Sequence, residues 1–78
     1  MKFQNMKTEI DLYVIAKVRE YRLKAKHTQE SLSYTLGYTR TFISNFENGP
    51  KKYNINQLNK IAKVLKCSPK DFLPQDPL

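Results

Sequence analysis

Residues 28–49 read TQESLSYTLGYTRTFISNFENG. Thr28 suits a helix N-cap, where a side-chain oxygen accepts from an orphan backbone N–H. Leu32 and Leu36 follow four apart, so they share one helical face. Gly37 can take the left-handed conformation that ends a helix, and Thr39 is the next candidate cap. A second helix is predicted over 40–47. Asn48-Gly49 closes it, and Pro50 cannot continue it. Two short helices around a tight turn at Gly37 have the spacing of a helix-turn-helix.

The second helix has two chemically distinct sides. On a wheel of about 100° per residue, Arg40, Ser44, Thr41 and Asn45 fall within about 140° of arc. Phe42, Ile43 and Phe46 take the other side. Solvated helix faces favour Lys and Glu, which are good helix formers. Thr, Ser and Asn are poorer ones, because their side chains compete for backbone hydrogen bonds. They are, however, groups that read bases. Arg donates two bonds to guanine, Asn pairs with adenine, and Ser and Thr reach several base edges. A weakly optimised solvated face would carry the same residues. The helix before it tips the balance: in a helix-turn-helix the second helix enters the major groove, its N-terminal residues nearest the bases. Arg40 and Thr41 stand at that end.

Moving upstream, acidic Glu9 and Asp11 open a long helical pattern that runs to about Lys26, with Lys24 and Lys26 suiting its negative end. Residues 1–8 read as a loose N-terminal arm carrying Lys2 and Lys7. Downstream, PKKYN (50–54) is a loop with two lysines. Asn54 caps a helix over 55–66, in which Ile55, Leu58, Ile61, Ala62 and Leu65 recur at helical spacing. Lys60, Lys63 and Lys66 form its solvated side. Ser68-Pro69 opens a short fifth helix over 69–73, docked by Phe72 and Leu73. Residues 74–78 are a short tail. No segment alternates with period two. The expectation is an all-α, compact five-helix domain over 9–73.

The 78 residues, 40% of them hydrophobic, suffice for one small core. Fourteen Lys+Arg against seven Asp+Glu give a net charge of +7, which points to an anionic partner: nucleic acid, an anionic membrane surface or an acidic protein. Cys67 is the single cysteine, so no internal disulfide can form, and a reducing compartment fits a domain this small. No apolar run approaches the roughly 20 residues of a membrane span, and the N-terminus lacks a signal-peptide core. A cytoplasmic location, bacterial or phage, is expected. Membrane binding is not, because the apolar faces are needed for the core. His27 and Cys67 have no companions in sequence for a metal cluster. No nucleophile–base pair or phosphate-cradling glycine loop is present, so neither enzyme nor cofactor is expected.

One charge is out of place. With Ile15 at the centre of the apolar arc of helix one, Arg22 falls inside that arc, between Ile15 and Val18. Burying a charge is costly unless it is paired. Glu47 sits at the edge of the apolar side of the 40–47 helix, and a partly buried Arg22–Glu47 ion pair is the expectation. Two separately solvated charges are the alternative.

TQESLSYTLGYTRTFISNFENG resembles the helix-turn-helix of the phage-repressor/Cro family, also called the xenobiotic-response-element family. Gln29 after the Thr28 cap, Leu32, Gly37, the TRTFIS run and the FENG close carry the likeness. IAKVREYR and LNKIAKVLKCSPKDFL resemble the family's first, fourth and fifth helices, so the likeness covers about residues 12–73. It implies a lambda-repressor-like five-helix fold and a sequence-specific transcription regulator that binds double-stranded DNA as a homodimer on an inverted repeat. By position it implies base reading by Arg40, Thr41, Ser44 and Asn45. Gln29, Asn48, Lys51 and Lys52 would hold phosphates. Tyr38, in the turn, and Tyr53, beside the lysine loop, are further candidate phosphate donors. Three residues depart from the pattern: Ser33 stands where alanine is common, Phe42 where tyrosine or a polar residue is common, and His27 where an apolar residue is usual. Phage-type repressor, restriction–modification controller and antitoxin against a partner toxin are the family-level roles. A protein-interaction module of the same fold is the reading from another class. For the dimer, the candidate surfaces are Lys66–Leu73, the tail and the N-terminal arm.

Overall fold

The computed structural model describes residues 6–78; Lys2, assigned above to the arm, lies outside them. The architecture is all-α. Four α-helices, α1 (Glu9–Lys24), α2 (Gln29–Thr35), α3 (Phe42–Glu47) and α4 (Ile55–Leu65), precede a single 3₁₀ turn at Pro69–Phe72. The expected fifth α-helix is therefore a 3₁₀ turn. Its bonds run three residues apart, Asp71 N–H to Ser68 O at 2.9 Å and Leu73 N–H to Lys70 O at 3.1 Å. Pro74 then holds Leu73 extended (φ −109°, ψ 149°), as a following proline does, before an α-helical turn can form.

Three helices start on reciprocal caps: Thr8 with Asp11, Thr28 with Ser31, and Asn54 with Gln57. In each, two orphan backbone donors are satisfied by two side chains. Thr8, at the end of the arm expected over 1–8, supplies the cap of α1. Lys26 does not extend α1, because it adopts φ +64°. It closes the helix with paired bonds, Lys26 N–H to Leu23 O and His27 N–H to Arg22 O. Gly37, at φ +87°, does the same for α2 through Gly37 N–H to Tyr34 O and Tyr38 N–H to Ser33 O. This is the Schellman closure, and here it sets the tight turn into α3.

α3 begins two residues later than expected, and Thr39 is not its cap. The Thr39 carbonyl accepts from Phe42 N–H at 3.0 Å, a bond three residues long. Thr41 sits at φ −94°, ψ 3°, with no side-chain cap bond. Arg40 and Thr41 therefore lie in the turn that leads into α3.

The core joins Val14 and Val18 of α1, Leu32 of α2 and Leu36 at its C-cap, Ile43 of α3, Leu58, Ile61 and Ala62 of α4, and Phe72. Phe72 is fully buried and meets Tyr21 edge-on at 5.6 Å. Leu73, expected to dock beside it, is 46% exposed. Phe46 stacks on Tyr53 at 4.1 Å, which ties α3 to the loop before α4.

Candidate nucleic-acid interface

α3 is held at both ends by polar contacts from the rest of the molecule. At its C-terminal end, Glu47 is a junction. Arg22 donates to both carboxylate oxygens, Nε to Oε2 at 2.9 Å and Nη2 to Oε1 at 2.9 Å. The two side chains are only 6% and 3% exposed. A third donor of Arg22, Nη1, reaches the His27 carbonyl at 2.7 Å. Such bidentate pairs fix geometry as well as charge, so α1 sets where α3 ends.

Gln29 enters the same junction. Its amide donates to Glu47 Oε1 at 2.8 Å and to Asn48 Oδ1 at 3.0 Å. Two of the residues expected at phosphates, Gln29 from α2 and Asn48 after α3, are thus brought side by side. Arg19 lies 3.9 Å from the same carboxylate and is 60% exposed, which leaves its guanidinium at the rim of the surface.

Arg40, Thr41 and Asn45 are solvent-exposed and Ser44 is half-exposed. They occupy the turn before α3 and its outer face, opposite buried Ile43 and Phe46. Ser44 Oγ donates to the Thr41 carbonyl at 3.0 Å, so its lone pairs stay available. Arg40 lies 3.8 Å from Glu30, both well exposed. A pair of that kind is worth little and is screened by salt, so the guanidinium is readily released. Lys52 lies 3.6 Å from Asp11, while Lys51 is exposed and has its backbone N–H on the Asn45 carbonyl at 3.2 Å. The Asp11 carboxyl is held below its ordinary value by the Thr8 backbone N–H, assisted by the Thr8 hydroxyl and Lys52.

Tyr38 stacks on Phe42 at 3.9 Å. Its hydroxyl accepts from Lys60 Nζ at 2.9 Å, which leaves its own proton free to donate. Lys60, assigned from sequence to the solvated side of α4, is therefore at this edge. Lys7 is the larger surprise. Its ammonium donates to the Phe46 carbonyl at 2.8 Å and the Gly49 carbonyl at 2.6 Å. It caps the negative end of α3 from about forty residues away, and no local pattern in the sequence signals that. Gly49 is needed there: a Cβ on it would stand 2.7 Å from the Asn45 carbonyl oxygen.

The surface combines an exposed quartet, on one short helix and the turn that leads into it, with cations on both flanks. Among the described residues no cluster of His, Cys, Asp and Glu could hold a metal, and no helix is long and apolar enough to cross a membrane. Residues 18–72, more than half of the chain, match the family described as Helix-turn-helix. The chain belongs to the Cro-type helix-turn-helix family of DNA-binding transcription regulators. Among its relatives in this family is the control protein C.BamHI of Bacillus amyloliquefaciens, 38% identical over 69 residues that span 87% of this chain and 85% of that one. Two solved structures share the Cro-type fold. A hypothetical transcription factor from Neisseria superposes with a TM-score of 0.75 at 20% identity, over 88% of this chain and 86% of that one. The restriction–modification controller C.AhdI of Aeromonas hydrophila superposes with a TM-score of 0.69 at 23% identity, over 77% and 87%.

Proposed function

We propose that this regulator is a sequence-specific controller protein that binds an inverted-repeat operator as a homodimer. The observation that carries the reading is the outward quartet of Arg40 and Thr41 in the turn before α3 and Ser44 and Asn45 on its outer face, with α3 fixed at its C-terminal end by Glu47. In this reading α3 enters the major groove, and Arg40 exchanges Glu30 for a guanine edge. Gln29, Tyr38, Asn48, Lys51 and Lys52 hold phosphates, which set register without reading sequence. Gln29 keeps its bond to Glu47 and turns its second N–H from Asn48 to a phosphate oxygen.

Of the three family roles, restriction–modification control is favoured by the likeness to one control protein and the fold shared with another. The dimer is supported by a surface on the opposite side of α4 from Lys60. Ile55, 81% exposed, protrudes beside an apolar groove of about 340 Å³ formed with Ile10, Val14, Tyr53, Leu58 and Leu73. A knob next to a hole is self-complementary under a two-fold axis. Two half-sites would lie about 34 Å apart along the DNA, and a protomer measuring 34 × 28 × 19 Å is of a size to span that distance in pairs.

The test uses fluorescence anisotropy on a duplex selected for binding. Arg40→Ala is expected to relax preference at one base pair in each half-site, at about 1–3 kcal/mol, whereas Lys51→Ala weakens all sequences alike and lowers the salt slope by about one. Equal effects of the two substitutions on all sequences would refute base reading by Arg40.

A further inference from the structure

The start of α3 is held by a residue of α2. The first N–H groups of a helix have no partner within it, and the N-cap Thr41 supplies no side-chain bond. Phe42 N–H is taken by the Thr39 carbonyl and Asn45 N–H by the Thr41 carbonyl. The Ile43 N–H goes instead to Ser33 Oγ, at 3.0 Å, in a buried bond between residues ten apart. The same hydroxyl donates to the Gln29 carbonyl at 2.8 Å. Ser33 and Ile43 are both fully buried, so water cannot replace the bond between them.

A serine hydroxyl has one donor and two acceptor sites. Its proton is committed to the carbonyl of Gln29, and that aims a lone pair at Ile43. One oxygen thereby links the backbone of a phosphate-side residue to the first turn of α3, next to the turn and outer face that carry the quartet. Ile43 lies between Thr41 and Ser44, so a slip of its amide would move both. An alanine at this position would leave the buried N–H without a partner.

We propose that Ser33 is the positioning residue of the recognition helix: a cap supplied from α2 that sets base discrimination rather than general DNA affinity. The proposal rests on the DNA-reading function above. Ser33→Ala removes one oxygen from a fully buried site and leaves the hydrocarbon packing intact. Amide hydrogen exchange by NMR, with no DNA present, is expected to show Ile43 slow in the wild type and at least about tenfold faster in the variant, as loss of a buried bond requires. The Ser33 hydroxyl proton should exchange slowly in the wild type, a readout that needs no variant. With DNA, the ratio of specific to non-specific affinity should fall about tenfold, equivalent to about 1.4 kcal/mol. The non-specific affinity and its salt slope should stay unchanged, which a loss of global stability would not produce. Ser33→Thr, which keeps the hydroxyl, should restore Ile43 protection. Unchanged Ile43 exchange in Ser33→Ala, or a fast-exchanging Ser33 hydroxyl, overturns the proposal alone. Faster Ile43 exchange in Ser33→Ala together with a wild type that prefers no sequence overturns it along with the DNA reading beneath it.

Discussion

Removing the Glu47 carboxylate should be the most damaging single surface-to-core change in this domain. Glu47→Ala takes away the acceptors of Arg22 Nε and Nη2 and of the Gln29 amide in one step. The guanidinium, 6% exposed in the intact pair, keeps only the His27 carbonyl. Breaking a buried pair by deleting one partner costs about 3–5 kcal/mol. At about 0.05–0.15 kcal/mol per residue, a chain of 78 residues holds about 4–12 kcal/mol in all, so the loss takes a large part of it. For a domain of this size that corresponds to a fall in Tm of roughly 12 °C or more. Replacing both partners with apolar residues, Arg22→Met with Glu47→Leu, should cost less than about 1 kcal/mol, since the desolvation of two charges disappears with the pair. Urea unfolding followed by far-UV circular dichroism, with unchanged m-values, measures both. A Glu47→Ala loss below about 1 kcal/mol, shrinking further in salt, would refute the reasoning. It would place the pair with solvated ones such as Lys17–Glu20, whose side chains are 33% and 45% exposed.

Three further outcomes follow from single groups. The Tyr53 hydroxyl is buried without a hydrogen-bond partner among the described residues, and burial pushes its ionisation well above the ordinary tyrosine range. Tyr53→Phe keeps the stack on Phe46 and should be neutral or stabilising by up to about 1 kcal/mol; a clear loss in a urea melt would show a missed partner. Gly49→Ala drives a Cβ to 2.7 Å from the Asn45 carbonyl oxygen and should cost about 1–3 kcal/mol. It should also exceed Gly37→Ala, whose Cβ meets nothing within 4 Å and costs only its left-handed backbone, about 1–2 kcal/mol; the reverse order in thermal melts would refute this. Because the Asp11 carboxyl sits below its ordinary value in the folded chain, its contribution is present above the unfolded value of about 3.9 and is lost as pH falls through the lower folded one. Asp11→Asn should therefore be less stable than wild type at neutral pH and equal to it near pH 2, whereas parallel acid limbs in urea midpoints would exclude the effect.

Much of the fold is written locally. Thr28, Asn54 and Ser68-Pro69 mark element starts because capping is a contact between residues two or three apart, and a sequence displays such contacts directly. The start of α3 is less legible: Thr39, Arg40 and Thr41 follow one another, and either threonine has cap chemistry. The turn before Phe42 is closed by the bond its N–H donates to the Thr39 carbonyl, which no side chain announces. Arg22 stands out as a charge inside an apolar arc, but Gln29's share of Glu47 is visible only in three dimensions. Ser33 shows in the sequence as a departure from alanine, and its bond to Ile43 explains why a hydroxyl is tolerated in the core. Lys7 and Lys60 carry no local signal, because a lysine reaching a distant carbonyl or phenol looks like any other solvated lysine. The periodicity of α4 includes Ile55, yet Ile55 is exposed, since the apolar stripe runs past the edge of the core.

The most direct test of the account is selection from a randomised duplex pool at two salt concentrations, with sequencing of the bound fraction. The account predicts an enriched inverted repeat with half-sites one helical turn apart, about 34 Å, that persists at the higher salt. DNA retained at low salt without any enriched sequence, or no DNA retained at all, would contradict it.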